Sequence, residues 1–255
     1  MSLEHLDDPS RIHELRARIQ SKAALRRYYE EVYAKYAACL RRCPPGGIAL
    51  ELGSGAGFIK SVLPDVVTSD VIAYDGIDRV VDATRMPFED VSLRAIFMMN
   101  VFHHIPDVAA FLAEAARCLE PGGRVFILDQ HVSWFSSFIF RHAHHEPFDP
   151  DAADWRFETT GPLSGANGAL ASIVFRRDRA RFERSFPELR LERFEPHTPV
   201  RYWLSGGLKP WTLLPGWGMP LARFVESQLL RASEGFGCFV DVELVKVARA
   251  PGPRR

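Results

Sequence analysis

Three glycines alternate with small residues in the stretch IALELGSGAGF, at Gly53, Gly55 and Gly57, directly after the acidic Glu51. Glycine permits positive φ in a tight turn and lets a ligand lie directly against the backbone. Two carboxylates follow, Asp70 and Asp82. An ionised carboxylate accepts two hydrogen bonds at once, a useful property for holding a polar ligand. Histidines then cluster in NVFHHIPD, as His103 and His104, and in RHAHHEPFD, as His144 and His145 beside Glu146. Histidine changes charge near neutral pH and is the commonest general base. Each of these residues also has an ordinary structural use. Asp70 and Asp82 can cap helices or close turns, and any single histidine can be a packing group.

The elements that would hold these residues can be read from hydrophobic pattern. The apolar run Ile48 to Leu52 reads as a buried parallel strand. A helix is expected to start over Phe58 to Leu63, with free N–H groups at its N-terminus. Asp65 to Ser69 reads as a second strand with Asp70 at its end, and Val80 to Ala83 as a short third containing Asp82. Leu93 to Met99 is a fourth, ending in Asn100. A helix over Val108 to Leu119 carries an apolar stripe at Val108, Phe111, Leu112, Ala115 and Leu119. Pro121-Gly122-Gly123 stops it, and Arg124 to Leu128 is a fifth strand. Leu170 to Phe186 reads as a helix, and Leu189 to Phe194 and Cys238 to Ala248 as the last two strands. Strand, glycine turn and helix together form the nucleotide-binding opening of a doubly wound α/β domain.

The glycine spacing resolves which kind of domain is expected. A dinucleotide site has G-x-G-x-x-G, whereas this loop is E-x-G-x-G-x-G. In that form, and in the phrases VVDATRMPFED and LEPGGRVFILD, the chain resembles the class I S-adenosylmethionine-dependent methyltransferases. The resemblance is good in motif order over about residues 48–129 and looser beyond. One departure is Arg94, where the family has an acid early in strand four. The resemblance implies a Rossmann-like seven-stranded sheet with an antiparallel last strand. It implies that Glu51, Gly53, Ser54, Gly55 and Gly57 hold the methionine end of S-adenosylmethionine. It further gives Asp70 to the ribose, Asp82 and Ala83 to the adenine, and Asn100 to the methyl side.

Composition agrees with an α/β domain. Apolar residues make up 47% of the 255, enough for a full core. Acidic and basic residues balance at 32 each, which argues against a general nucleic-acid footprint. An N-P-P-Y segment, expected for methylation of base amino groups in nucleic acids, is absent from the sequence. Met1 to Pro9 is polar and acidic, so no leader is expected, and no apolar run reaches a membrane span. The four cysteines lack paired metal spacing, and a reduced, cytoplasmic protein is expected.

One domain over 1–255 is expected, with helices over 1–45, a cofactor-binding core over 46–129 and cap insertions over 130–168 and 197–237. Ser10 is a candidate cap for the first helix. The insertions are rich in aromatic residues, among them Trp134, Trp155, Trp203, Trp211 and Trp217. They suit either the core of a small cap or a pocket for an acceptor with an apolar portion. Methyl transfer from a sulfonium is an in-line displacement that requires close placement of the nucleophile and exclusion of water. A hydroxyl acceptor also benefits from a base, for which His103, His104, His144 and His145 remain the candidates. The cluster His142, His144, His145 and Glu146 matches no zinc-motif spacing, and no metal is expected. The reading is therefore methyl transfer from S-adenosylmethionine to a small-molecule, glycan or lipid-linked acceptor, on oxygen. A non-catalytic cofactor-binding scaffold and a nucleic-acid methyltransferase are the alternatives, and the sequence leaves the oligomeric state open.

Overall fold

A computed structural model describes residues 11–143, 146–161 and 164–248. Seven strands form one sheet in the order β3-β2-β1-β4-β5-β7-β6. They are β1 (Ile48–Leu52), β2 (Val67–Asp70), β3 (Arg79–Val80), β4 (Leu93–Met99), β5 (Leu119–Gln130), β6 (Leu189–His197) and β7 (Phe239–Lys246). The first five pair in parallel, and β7 runs antiparallel between β5 and β6. This is the doubly wound sheet with an antiparallel last strand expected from the sequence. Strand order reverses at β1 and β4, so their carboxyl ends open onto a ligand crevice.

The central strands are buried on both faces. On one face, α3 (Val108–Cys118) sets Val108, Phe111, Leu112 and Ala115 against Leu50, Ile96 and Ile127. The Asp107 carboxylate caps α3, accepting from Ala110 N at 3.0 Å. On the other face lies α2 (Ala23–Leu40), which follows α1 (Arg11–Ser21). Tyr36 of α2 stacks on Phe97 of β4 with centroids 4.6 Å apart. Ion pairs to buried carboxylates fix α2 and the turn after it to β7: Lys35 reaches Asp241 at 2.5 Å, and Arg42 reaches Glu243 at 2.7 Å.

Three expectations need correction. The helix expected over Phe58 to Leu63 is only a 3-10 turn, Ile59–Ser61. Pro64 stands immediately behind it, where it lacks the N–H a continuing helix needs, and α2 covers that face instead. The helix expected over Leu170 to Phe186 is broken into α5 (Leu170–Ser172), a wide π turn (Ile173–Arg177) and α6 (Arg179–Ser185). Asp178 N bonds to Ile173 O across that turn, while Arg177 is tied to Pro150 O and Ala152 O and Asp178 to Trp155. These tertiary bonds outweigh the regular helical ladder. Leu119, expected to end α3, pairs instead with Leu93 as the start of β5.

The segment after β5 carries α4 (Trp134–Ala143) and returns through 146–161 over the carboxyl edge of the sheet. The segment between β6 and β7 carries α7 (Arg201–Leu204) and α8 (Met219–Ala232). Lys22, between α1 and α2, buries its ammonium in the second segment, donating to Ser205 O at 3.2 Å, Gly207 O at 2.9 Å and Lys209 O. Burial first, and then Arg18, holds its pKa below the ordinary lysine value. Among the described residues no helix is long and apolar enough to cross a membrane. All four cysteines are free thiols. Ser10 lies outside the described residues.

Candidate active site

The apolar β1 brings Glu51 to the carboxyl edge of the sheet, and the chain must then turn away at once. Gly53 does this with φ +64°, and a Cβ there would stand 2.4 Å from Val101 Cγ2. Only glycine meets both conditions. The loop is held from several sides. Ser54 N donates to Ser69 O at 2.8 Å, and Gly55 N donates to Asp70 Oδ2 at 3.1 Å. Gly55 O accepts from Tyr74 Oη at 3.1 Å and from Arg16 Nη2 at 3.4 Å. Tyr33 of α2 accepts from Phe58 N at 2.9 Å. The N-terminal helices thus close over the loop.

Glu51, Gly53, Ser54, Gly55, Gly57 and Asp70 are brought together here. Glu51 is 3% exposed, and its Oε2 has no hydrogen-bond partner. Burial pushes its pKa up to about 8, opposed by Ser54 and reinforced by Asp70. Burial also raises the Asp70 carboxyl above its usual range, against hydrogen bonds from Ile72, Gly55 and Val71. A cleft alongside is lined by Glu51, Ser54, Gly57, Phe58, Thr68 and Tyr74, but not by Asp82 or Ala83. Asp82 instead follows β3 at the surface, where its Oδ1 accepts from Thr84 N at 2.8 Å and Thr84 Oγ1 at 2.7 Å. That is the turn-closing use open to it from the sequence.

The next strand end carries the second half of the site. Asn100, just past β4, has φ +55°, an uncommon conformation that asparagine tolerates. Its Oδ1 is buried and unpartnered. The chain then makes a 3-10 turn, Phe102–His104. His103 is 1% exposed, and its Nδ1 lies 2.7 Å from Asp129 Oδ1 at the end of β5. His103 Nε2 lies 3.2 Å from Glu146 Oε2, without the alignment of a hydrogen bond. His104 Nδ1 lies 3.1 Å from Gly165 O, and its Nε2 is 3.5 Å from Glu146 Oε1. Burial disfavours a charged His103, but Asp129 and then Glu146 outweigh it and push its pKa up to about 10. Burial of Glu146 is likewise outweighed by His103 and His104, which hold its carboxyl well below the usual range.

His144 and His145 lie outside the described residues. His142 turns back on its own helix, with Nδ1 2.8 Å from Phe138 O, whereas Glu146 faces His103 and His104. Asp129 and Gln130 were not singled out as site residues from the sequence. Their signal was position, at the end of a central parallel strand. A separate cavity of about 450 Å³ lies beyond β5, lined by His131, Ser172, Arg176 and Glu234 among others. His131 there is kept neutral, its pKa lowered to about 3 by burial first and then by Arg176 and His197.

Comparison with known proteins agrees with this architecture. The methyltransferase domain family matches residues 50–127. A chloroplastic tocopherol O-methyltransferase of Arabidopsis thaliana is 34% identical over 70 residues, covering 28% of this chain and 19% of the relative. A ubiquinone/menaquinone biosynthesis C-methyltransferase of Desulfotalea psychrophila is 34% identical over 96 residues, covering 35% of this chain and 38% of the relative. These matches therefore span well under half of the relatives' lengths. The structure of geranyl diphosphate C-methyltransferase from Streptomyces coelicolor A3(2), in complex with Mg2+, geranyl diphosphate and S-adenosyl-L-homocysteine, aligns with a TM-score of 0.53. It is 15% identical, over 88% of this chain and 81% of that one, a likeness of fold. The sequence match over residues 50–127 and the strand order make this a chain of the class I S-adenosylmethionine-dependent methyltransferase fold, with the methyltransferase domain in its first half.

Proposed function

We propose that the chain transfers a methyl group from S-adenosylmethionine to an oxygen of a small-molecule, glycan or lipid-linked acceptor. One observation carries the cofactor reading. Glu51 is a buried carboxyl group beside a glycine turn, and its Oε2 lacks a donor. A buried polar group without a partner costs about 1–3 kcal/mol, and a ligand ammonium would remove that cost. On this reading Glu51, Gly53, Ser54, Gly55 and Gly57 hold the methionine end. Asp70 takes the ribose, since a carboxylate has about four acceptor positions and the Gly55, Ile72 and Val71 N–H groups do not use them all. Asp82 and Ala83 take the adenine, and Asn100 faces the methyl.

Bound S-adenosylmethionine supplies an electrophilic methyl group. The chain's part is to orient the acceptor, exclude water and receive or displace its proton. The reading assigns the activating role to His103, His104 and Glu146 acting together; His144 and His145 stay candidates from the sequence. The two insertions serve as the acceptor cover. Exposed Trp217, Leu221 and Phe224, with Trp217 83% exposed, support an acceptor carrying an apolar portion.

The test is transfer of labelled methyl from S-adenosylmethionine to panels of phenols, sugars and prenyl-linked sugars. The reading expects label on oxygen. Label found only on carbon or nitrogen would overturn the oxygen assignment.

A further inference from the structure

His103, His104 and Glu146 come from two distant parts of the sequence, yet their ligand atoms all lie within 4.8 Å of one another. Both imidazoles are anchored in the same way. Asp129 takes the Nδ1 proton of His103 at 2.7 Å, and the Gly165 carbonyl takes that of His104 at 3.1 Å. A neutral imidazole with its Nδ1 proton donated presents a lone pair at Nε2. Both Nε2 atoms face the Glu146 carboxylate, at 3.2 and 3.5 Å. Donors about 2.0–2.2 Å from one ion stand about 3–4 Å apart, which these separations match. His103 Nε2 is also a buried nitrogen with no hydrogen-bond partner.

The surroundings hold this geometry in place. Carboxylate or carbonyl partners on the far side of ligating histidines fix the tautomer and ring orientation. Asp129 is fully buried and also accepts from Gln130 N at 2.7 Å. Gln130 Nε2 donates to Glu146 Oε2 at 3.0 Å, orienting the carboxylate. Gly168 leaves the room for this, since a Cβ there would stand 1.9 Å from Gln130 Oε1. Asn167 N bonds to His103 O at 2.9 Å, pinning the histidine turn from the other segment.

We propose that His103 Nε2, His104 Nε2 and the Glu146 carboxylate bind a divalent transition-metal ion, with Asp129, Gly165 and Gln130 as the partners that orient them. Two imidazoles and one carboxylate suit Zn²⁺, Co²⁺, Mn²⁺ or Fe²⁺ better than the all-oxygen preference of Mg²⁺. Three protein ligands leave a position open, as in catalytic rather than structural sites. On the methyl-transfer reading, on which this clause alone rests, an acceptor oxygen would complete the ion's coordination.

The experiment is titration of the untagged full chain with Co²⁺, followed by visible d–d absorption, with S-adenosylhomocysteine binding measured on the same preparations. One ion per chain with tetrahedral or five-coordinate bands is expected. His104→Ala and Glu146→Gln should each abolish the bands, and Asp129→Asn should weaken binding about 10–100-fold. X-ray absorption of the Zn²⁺-loaded wild type, which depends on no variant, should show two imidazoles. Absence of the bands, bands that survive in both variants, or fewer than two imidazoles would overturn the inference. Retained S-adenosylhomocysteine binding in that event would leave the methyl-transfer reading standing. Metal binding without it would do the reverse.

Discussion

The His103 ring and the Asp129 carboxylate are joined by a 2.7 Å contact between two buried side chains, one just past β4 and the other within β5. Neighbouring strand ends thus set the orientation of the histidine most enclosed by the site. Asp129→Asn keeps the shape but removes the charge and can reverse the tautomer. Methyl transfer should fall about 10–100-fold in kcat, with the KM for S-adenosylmethionine unchanged. An equal rise in that KM would place Asp129 in cofactor binding instead.

On the proposed reading, Glu51 couples cofactor binding to pH. With a free-state pKa of about 8, it must lose its proton to meet a ligand ammonium. Affinity for S-adenosylhomocysteine should therefore rise about tenfold per pH unit toward pH 8 and then level off. Glu51→Gln should flatten that slope. The sign is opposite for the free protein: a raised carboxyl pKa means this residue's contribution to stability declines as pH rises from the unfolded value of about 4.3 to about 8. Calorimetry and thermal melts across that range check both.

Asp241 works in the other direction. Burial disfavours its charge, but His197 and Lys35 outweigh it and lower its pKa to about 2. Its contribution, on the order of 2 kcal/mol, is present above the unfolded value of about 3.9 and lost as pH falls through about 2. Asp241→Asn should lower Tm at pH 7 and reduce the dependence of Tm on acid. An unchanged acid profile would assign acid sensitivity elsewhere.

Gly53→Ala meets two obstacles at once, the positive φ and Val101 at 2.4 Å. Adding Val101→Ala should relieve the contact and leave the backbone cost of about 1–2 kcal/mol. Stability should recover in part, as read by denaturant midpoint. Full recovery would show that the turn does not require glycine conformation.

The sequence made the central sheet legible because parallel strands buried on both faces read as continuous apolar runs. β1 and β4 fall at Ile48–Leu52 and Leu93–Met99 as expected, and α3 ends at Cys118, one residue short of the expected Leu119. That the expected helix after Gly57 shrinks to a 3-10 turn was not legible, because the covering role belongs to α2, which comes earlier in the chain. The π turn at Ile173–Arg177 depends on Pro150, Ala152 and Trp155, contacts that local periodicity cannot contain. The trio of His103, His104 and Glu146 was hidden for the same reason. Ligand-spacing rules look along the chain, whereas these side chains meet only through the return of the first insertion over the sheet edge.

The most direct test of the central claim is calorimetric titration of the chain with S-adenosylmethionine and S-adenosylhomocysteine, beside Asp82→Ala. The account predicts micromolar binding of both, reduced at least tenfold in the variant. No binding of either at millimolar concentration would contradict it.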